Sequence, residues 1–467
     1  MTNFKILSHA CMFLETKQSS IIIDPWLVGS CYWRSWWNFP QAAFEQKDLE
    51  SVDCVIVSHV HWDHWHGATL KKFFKGKSVI TANDPNLRSV NDLKSIGFDK
   101  ITKLNHGKSI EIGDIKITFY NFGLYLTDSA IVIETPDVTI LNANDAKLAG
   151  SPLKNILKRH KKIDFAMRSH SSANSRICHE VLNEDYVNDD REHYFRSFKL
   201  FMDTVKPKYA IPFASNHCHL NYDGMRFNSY ISDPIELRSY LKSNFETSWS
   251  LKVMLPGSSW NSDHGFKFSS EEPFLNKMEY LTNYQDQVKD RLEFYKLKES
   301  KLNITEKVIE RFRMLVMKTV GTKKLLPVRF KITSPDSSKN ISFIINSNGI
   351  LEKTDDSDDP IKGTPLIIMP NIVFRDSVVK NMFHHAAISK RCRFIAFDNY
   401  DMQILKEFYS KLERYELTGD INFSYICRLI LSYRARWREL IVYFKVLYYQ
   451  KAKKLELFQI EEKILKG

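Results

Sequence analysis

Short apolar runs punctuate the first 265 or so positions: Phe4–Leu7, Ser20–Ile23, Cys54–Ser58, Ser78–Thr81, Ile115–Tyr120, Ala130–Glu134 and Thr139–Leu141. Their length and β-branched content predict strands. Helical patterns intervene, as in "GATLKKFF" from Gly67 and "DPNLRSVNDLKSIG" after Asn83. "GKSIEIGDIKITFYNF" has hairpin character, with Gly113-Asp114 as its turn. The runs are near-continuous rather than alternating, so the sheets they form should be covered by helices. Pro273–Glu310 is polar and helical in period. The stretch Leu326–Pro370 then reads as several strands with acidic turns, and two long helical patterns close the chain near Asp401–Arg414 and Ile421–Leu447. The pattern divides the chain at about residue 270, into residues 1–270 and a C-terminal α+β domain over 271–467 that ends in helices.

Composition narrows the class. A hydrophobic content of 43% supplies a packed core and excludes wholesale disorder. The opening "MTNFKILSHACMFLETKQSS" lacks the basic start and apolar core of a signal peptide, and no apolar run approaches the roughly 20 residues that span a bilayer. Cytoplasmic residence is the expectation. The seven cysteines are scattered, without a C-x-x-C pair, which predicts reduced thiols and no iron–sulfur ligand set. The net charge of +12 suits a small anionic substrate or an acidic partner. No RNP, helix-turn-helix or zinc-finger pattern accompanies it, so nucleic acid is not expected.

The sharpest signal is "VIVSHVHWDHWHG", Val55–Gly67. A strand delivers its C-terminal end into a loop, a usual place for sites. His59 and His61 stand two apart on extended chain, so both imidazoles face one side. Asp63 and His64 follow as the chain turns toward a helix. Imidazole and carboxylate together suit zinc, iron or manganese. Two divalent metal ions fit the spacing, with His59/His61 on one and Asp63/His64 on the other. A surface loop rich in histidine would not follow so apolar a strand.

"HVHWDH" resembles the signature of the metallo-β-lactamase superfamily, which implies an αβ/βα sandwich with metals between the sheet edges. "IIIDPW" (Ile21–Trp26) is similar to the family's early strand end, with Asp24 orienting a ligand imidazole. "VTILNANDAK" resembles the strand that ends in a bridging aspartate, here Asp145. "KPKYAIPFASNHCHL" resembles the last motif, which supplies a ligand histidine from His217 or His219, with His219 preferred. Longer stretches resemble the catalytic half of CMP-N-acetylneuraminate hydroxylases: "DPWLVGSCYWRSWWNFP", "DSAIVIETPDVTILNANDAK", "DFAMRSHSSANS" and "PKYAIPFAS". Two departures stand out. The Cys-x-His and Cys-x-x-His pairs of a Rieske cluster do not occur, so a separate ferredoxin or Rieske-type donor is expected to supply electrons. Many members also carry a histidine before the Asp145 strand; here "NFGLYLTDS" offers Tyr125 or Asp128.

Asp63, His64 and Tyr125 are the candidate catalytic groups. Trp36 and Arg34, in the aromatic run "CYWRSWWNF", are candidates for holding an anion or sugar ring, against the alternative of plain core. His9 and His170 are further candidates for the pocket wall; His384 and His385 receive no role. The basic, aromatic stretch Phe423–Tyr449 is expected to bury itself against the second domain, with membrane-surface contact or docking of an electron donor as alternatives. The expected activity is hydroxylation of an anionic metabolite, such as a nucleotide-linked sugar, at a diiron site. A dizinc or dimanganese hydrolase of a phosphodiester, lactone or amide is the alternative, and a non-catalytic scaffold the third.

Overall fold

A computed structural model describes residues 1–123, 127–171, 173, 175–182, 191–320 and 325–466. Two mixed sheets pack face to face. The first has eight strands in the order Gly265–Lys267, Ser259–Asn261, Asn3–Ile6, Met12–Glu15, Ser20–Ile23, Cys54–Val57, Ser78–Ala82, Ile101–Leu104. The second has seven: Ser250–Leu251, Tyr209–Pro212, Phe165–Arg168, Thr139–Asn142, Asp128–Glu134, Ile115–Phe122, Ser109–Ile112.

Successive side chains on a strand point to opposite faces, and here both faces are covered. Ile21 and Ile23 meet Ile131 and Met167 in the layer between the sheets. Ile22, Val55 and Val57 turn outward onto Leu70 and Leu93 of the helices Gly67–Phe73 and Arg88–Ser95. On the second sheet, Ala130 and Val132 face out toward Leu153 and Phe198. This is an αβ/βα sandwich, the architecture that the sequence resemblance implies, and it explains why the strands read as unbroken apolar runs. The hairpin turns at Gly113, whose φ of +56° favours glycine; a Cβ there would lie 2.7 Å from Ser19 Oγ.

A third sheet of six strands forms the centre of the second half, in the order His179–Val181, Arg393–Ala396, Leu366–Pro370, Val328–Thr333, Ile341–Ile345, Leu351–Lys353. Phe312, Phe330, Phe343 and Phe374 make its core, which runs on without a break into Tyr32, Trp33 and Trp36 of the first half. The two halves interlock through an edge strand and through the last helix. The edge strand His179–Val181 comes from before residue 270 and pairs in parallel with Arg393–Ala396. The last helix, Leu457–Lys466, returns to the second sheet, where Ile460 and Ile464 pack with Phe198 and Met202. Its Glu461 accepts from buried Arg168 at 2.7 Å.

The helix Phe423–Lys453 corrects an expectation. It packs on the first half, not the second: Val442 joins Leu153 and Ile156, and Arg436 donates to the Gly123 carbonyl at 2.6 Å. Its opposite side leaves Phe423, Ile430 and Phe444 exposed. Among the described residues no helix is long and apolar enough to cross a membrane.

Candidate metal centre

Five strands end at the site. Ser20–Ile23 and Cys54–Val57 are parallel neighbours in the first sheet; Thr139–Asn142, Phe165–Arg168 and Tyr209–Pro212 are parallel neighbours in the second. Their C-terminal ends therefore open on one edge of the sandwich. Three of them bend there through a residue in left-handed backbone: Asp24 (φ +47°), Asn144 (+45°) and Ala214 (+55°). These bends bring Asp24, the loop Ser58–His64, Asp145 and His217 together.

His59 Nε2 and His61 Nδ1 lie 2.9 Å apart. Burial, then the neighbouring His64, pushes His59 down to about 4. Burial, then His59 and His384, holds His61 well below its ordinary value. Both are thus neutral at neutral pH, with lone pairs free to bind a cation. Asp128 Oδ1 stands 4.0 Å from His59 Nε2. On the other side, His64 Nε2 lies 3.2 Å from Asp145 Oδ2 and 3.5 Å from Asp63 Oδ2. Burial works against charge on His64, but Asp63 and Asp24 hold its pKa well above the usual value. His9 Nε2 approaches Asp63 Oδ2 at 3.1 Å.

These donors form three overlapping groups: His59, His61 and Asp128; His59, His64 and Asp145; His9, Asp63 and His64. Within each, the ligand atoms lie within 4.8 Å of one another. Each group is two imidazoles and one carboxylate. The centre fits divalent cations on a second ground as well. Nδ1 of His9, both ring nitrogens of His217 and Oδ1 of Asp128 are buried without a hydrogen-bond partner, an expensive state for polar atoms. Burial and the charge of Asp145 push Asp128 up to about 8. A cation between these groups would relieve both conditions.

The outer ring of contacts fixes the donors. Asp24 accepts from Ser58 N (2.7 Å), Ser58 Oγ (2.6 Å) and Asn144 Nδ2 (2.7 Å), and pairs with His64 Nδ1 at 2.8 Å. The last contact leaves His64 Nε2 for the cluster. Tyr32 donates its hydroxyl to Asp63 Oδ1 at 2.5 Å. Trp36 lies flat on His217, with centroids 3.6 Å apart and ring planes at 3°. A small sheet of Ser30–Cys31, Trp36–Asn38 and His217–His219 makes that stack. The turn between its first two strands holds Tyr32, Trp33 and Arg34 with φ of +50°, +54° and +68°. Left-handed backbone costs about 1–2 kcal/mol per residue, so the core contacts of these side chains must hold it.

A cavity of ≈ 170 Å³ opens over the cluster, lined among others by Trp36, His61, Asp63, Asp128, Asp145 and His217. Its other wall carries Ser169, Ser171, Ser215, Lys147 and Tyr194. Not every expected residue is there. His219 lies farther along its strand, with Nδ1 3.1 Å from Ser35 Oγ, and His217 takes the place facing the cavity. His170 is buried and does not line it, and burial brings its pKa down to about 3. Arg34 sits in a separate cavity of ≈ 410 Å³, its guanidinium 4.8 Å from the Tyr295 ring centroid. Tyr125 lies outside the described residues. Sequence reasoning passed over Tyr32, Lys147, Tyr194 and Ser58, whose roles depend on contacts across the fold that no local spacing announces.

Residues 3–122 match the family model of the β-lactamase superfamily domain. Proteins similar to the chain include one of Mycobacterium tuberculosis named as a Rieske 2Fe-2S iron–sulfur protein, 24% identical over 278 residues, covering 54% of this chain and 52% of that one. The inactive cytidine monophosphate-N-acetylneuraminic acid hydroxylase of Homo sapiens is 37% identical over 67 residues, 14% of this chain and 13% of that one. The chain thus spans about half the length, or less, of these curated relatives. Among solved structures similar to the chain, CmlA, a diiron β-hydroxylase from Streptomyces venezuelae, is 15% identical, with 56% of this chain and 54% of that one covered at a TM-score of 0.40.

Proposed function

We propose that the chain is a metal-dependent oxidoreductase that holds two iron ions and hydroxylates a small anionic metabolite. The observation that carries this reading is the repeated donor set. Each group pairs two imidazoles with one carboxylate, a combination with room for open positions that suits non-haem iron and oxygen chemistry. His59, His61 and Asp128 would hold one ion; Asp63, His64 and His217 the other, with Asp145 between them and His9 alongside. When bound, such a pair supplies the activation of dioxygen. The balance is one oxygen atom into a substrate C–H bond and the other into water, with two electrons and two protons consumed.

The chain's own residues set the conditions. Asp24 keeps His64 Nδ1 occupied, so Nε2 faces the centre. Tyr32 holds the Asp63 carboxylate by one oxygen and leaves the other toward His9 and His64. Trp36 walls the cavity and excludes water from the face of His217. Lys147, 4.6 Å from the Tyr194 ring centroid at the same cavity, provides a cation for an anionic substrate group, with Ser169, Ser171 and Ser215 to hydrogen-bond its oxygens. A nucleotide-linked sugar is the substrate class the hydroxylase resemblance supports. A ferredoxin or Rieske-type iron–sulfur centre is the class of electron donor, in keeping with the name of the mycobacterial relative.

Loading the full chain anaerobically with Fe²⁺ and measuring metal per chain tests the reading. Two irons per chain are expected, falling to one in Asp63→Ala with the circular dichroism unchanged. Stoichiometric zinc in chain purified without added metal, together with failure to take up iron, would assign hydrolysis instead.

A further inference from the structure

The helix Phe383–Ile388 belongs to the second half, yet it reaches the centre. His384 Nε2 lies 2.7 Å from His61 Nε2. The two rings are nearly coplanar, at 14°, with centroids 4.9 Å apart. Nitrogens that close, in rings that far apart and in one plane, meet end to end along their lone-pair directions. That is the geometry of an N–H···N hydrogen bond, not of stacking.

The protons on this pair follow by elimination. His61 turns Nδ1 toward His59 Nε2 and the centre. A neutral imidazole carries a single N–H. If Nδ1 offers its lone pair to a cation, the proton of His61 sits on Nε2 and is donated to His384. His384 must then accept on Nε2 and carry its own proton on Nδ1, the side on which Glu413 Oε1 stands 3.9 Å away. The helix itself is pinned by Glu416 of Asn399–Thr418. One carboxylate oxygen accepts the backbone N–H of His384, and the other lies 2.9 Å from His385 Nδ1.

We propose that His384 is a positioning residue for the metal centre: by accepting the Nε2 proton of His61, it holds the Nδ1 lone pair of His61 toward the ion shared with His59 and Asp128. This rests on the metal-binding reading above and adds to it that the second half of the chain completes the site. Outer partners of ligand histidines are worth about 10–100-fold in metal affinity, so a loss of that size is expected at one ion and not at the other.

The test is chelator competition on the full chain loaded with Fe²⁺, with metal content as the readout. His384→Ala should give up one ion about 10–100-fold more readily than the unmodified chain, the second being retained. His384→Gln, whose amide oxygen can accept from His61, should restore retention; His384→Lys, which can only donate, should not. The Gln and Lys pair decides the matter even if the alanine variant fails to fold. Equal retention in His384→Ala and the unmodified chain, or in the Gln and Lys variants, overturns the proposal. An unmodified chain that binds no metal overturns the reading of the centre itself.

Discussion

At the scale of single residues, two buried aspartates show how partners decide what a carboxylate does. Asp24 is fully buried and receives four close contacts. Removing such a group would strand several donors, at about 3–5 kcal/mol for a broken buried pair. Asp84 is also buried, and it accepts from Ser89, through N at 3.2 Å and Oγ at 3.1 Å. Burial outweighs those bonds and pushes it up to about 6. Its unfolded value is about 3.9. The folded state therefore binds this proton more tightly. The stability it contributes is full below about pH 4 and is lost as pH rises through about 6, on the order of 2–3 kcal/mol. Asp84→Asn should flatten that slope in denaturant midpoints measured between about pH 4 and 7; an unchanged slope would show that another group sets it. The H-x-H-x-D-H spacing announces four donors because one turn of chain brings them together. Choosing between His217 and His219 needed more. They flank Cys218 on the same side of one short strand, and only their neighbours, Trp36 for one and Ser35 for the other, separate their roles.

At the scale of elements, the expected strands lie close to where the structure has them, because each has an apolar core on both faces. Ser20–Ile23 coincides, and Cys54–Val57 and Thr139–Asn142 differ by a residue at one end. The pieces that escaped notice are short or carry no period: Met12–Glu15, and the two strands within the aromatic run, whose tryptophans are at once core and cavity wall. The hairpin at Gly113-Asp114 stands as expected, between Ser109–Ile112 and Ile115–Phe122. Its glycine has a reason that local spacing does not show, the approach of Ser19. Gly113→Ala should lower stability by about 1–3 kcal/mol, read as a fall in Tm of several degrees without loss of metal. Unchanged Tm would mean that the Ser19 loop yields freely.

At the scale of the whole molecule, the core of the third sheet reaches into the first half of the chain. The tryptophans beside the candidate metal centre belong to the core of the third sheet, and Trp33 donates to Asp376 across the halves at 3.1 Å. Thermal or denaturant unfolding should therefore be a single transition, coincident for tryptophan fluorescence and for far-ultraviolet circular dichroism. Two separated transitions would show that the halves melt independently. This coupling was not legible from the chain, since the division near residue 270 is a change of pattern and says nothing of what later returns across it.

The edge strand His179–Val181 sets an order of events during synthesis. Its partner, Arg393–Ala396, leaves the ribosome more than two hundred residues later, and contacts so distant along the chain are slow to form. The strands of the first two sheets end at Lys267, so a nascent polypeptide must carry them, their histidines near one another, while more than a hundred further residues are made before the third sheet can close beside them. Closure of the third sheet beside the candidate site is thus timed by the later part of the message, and a ribosome that stalls short of it would release a protein with half a cage.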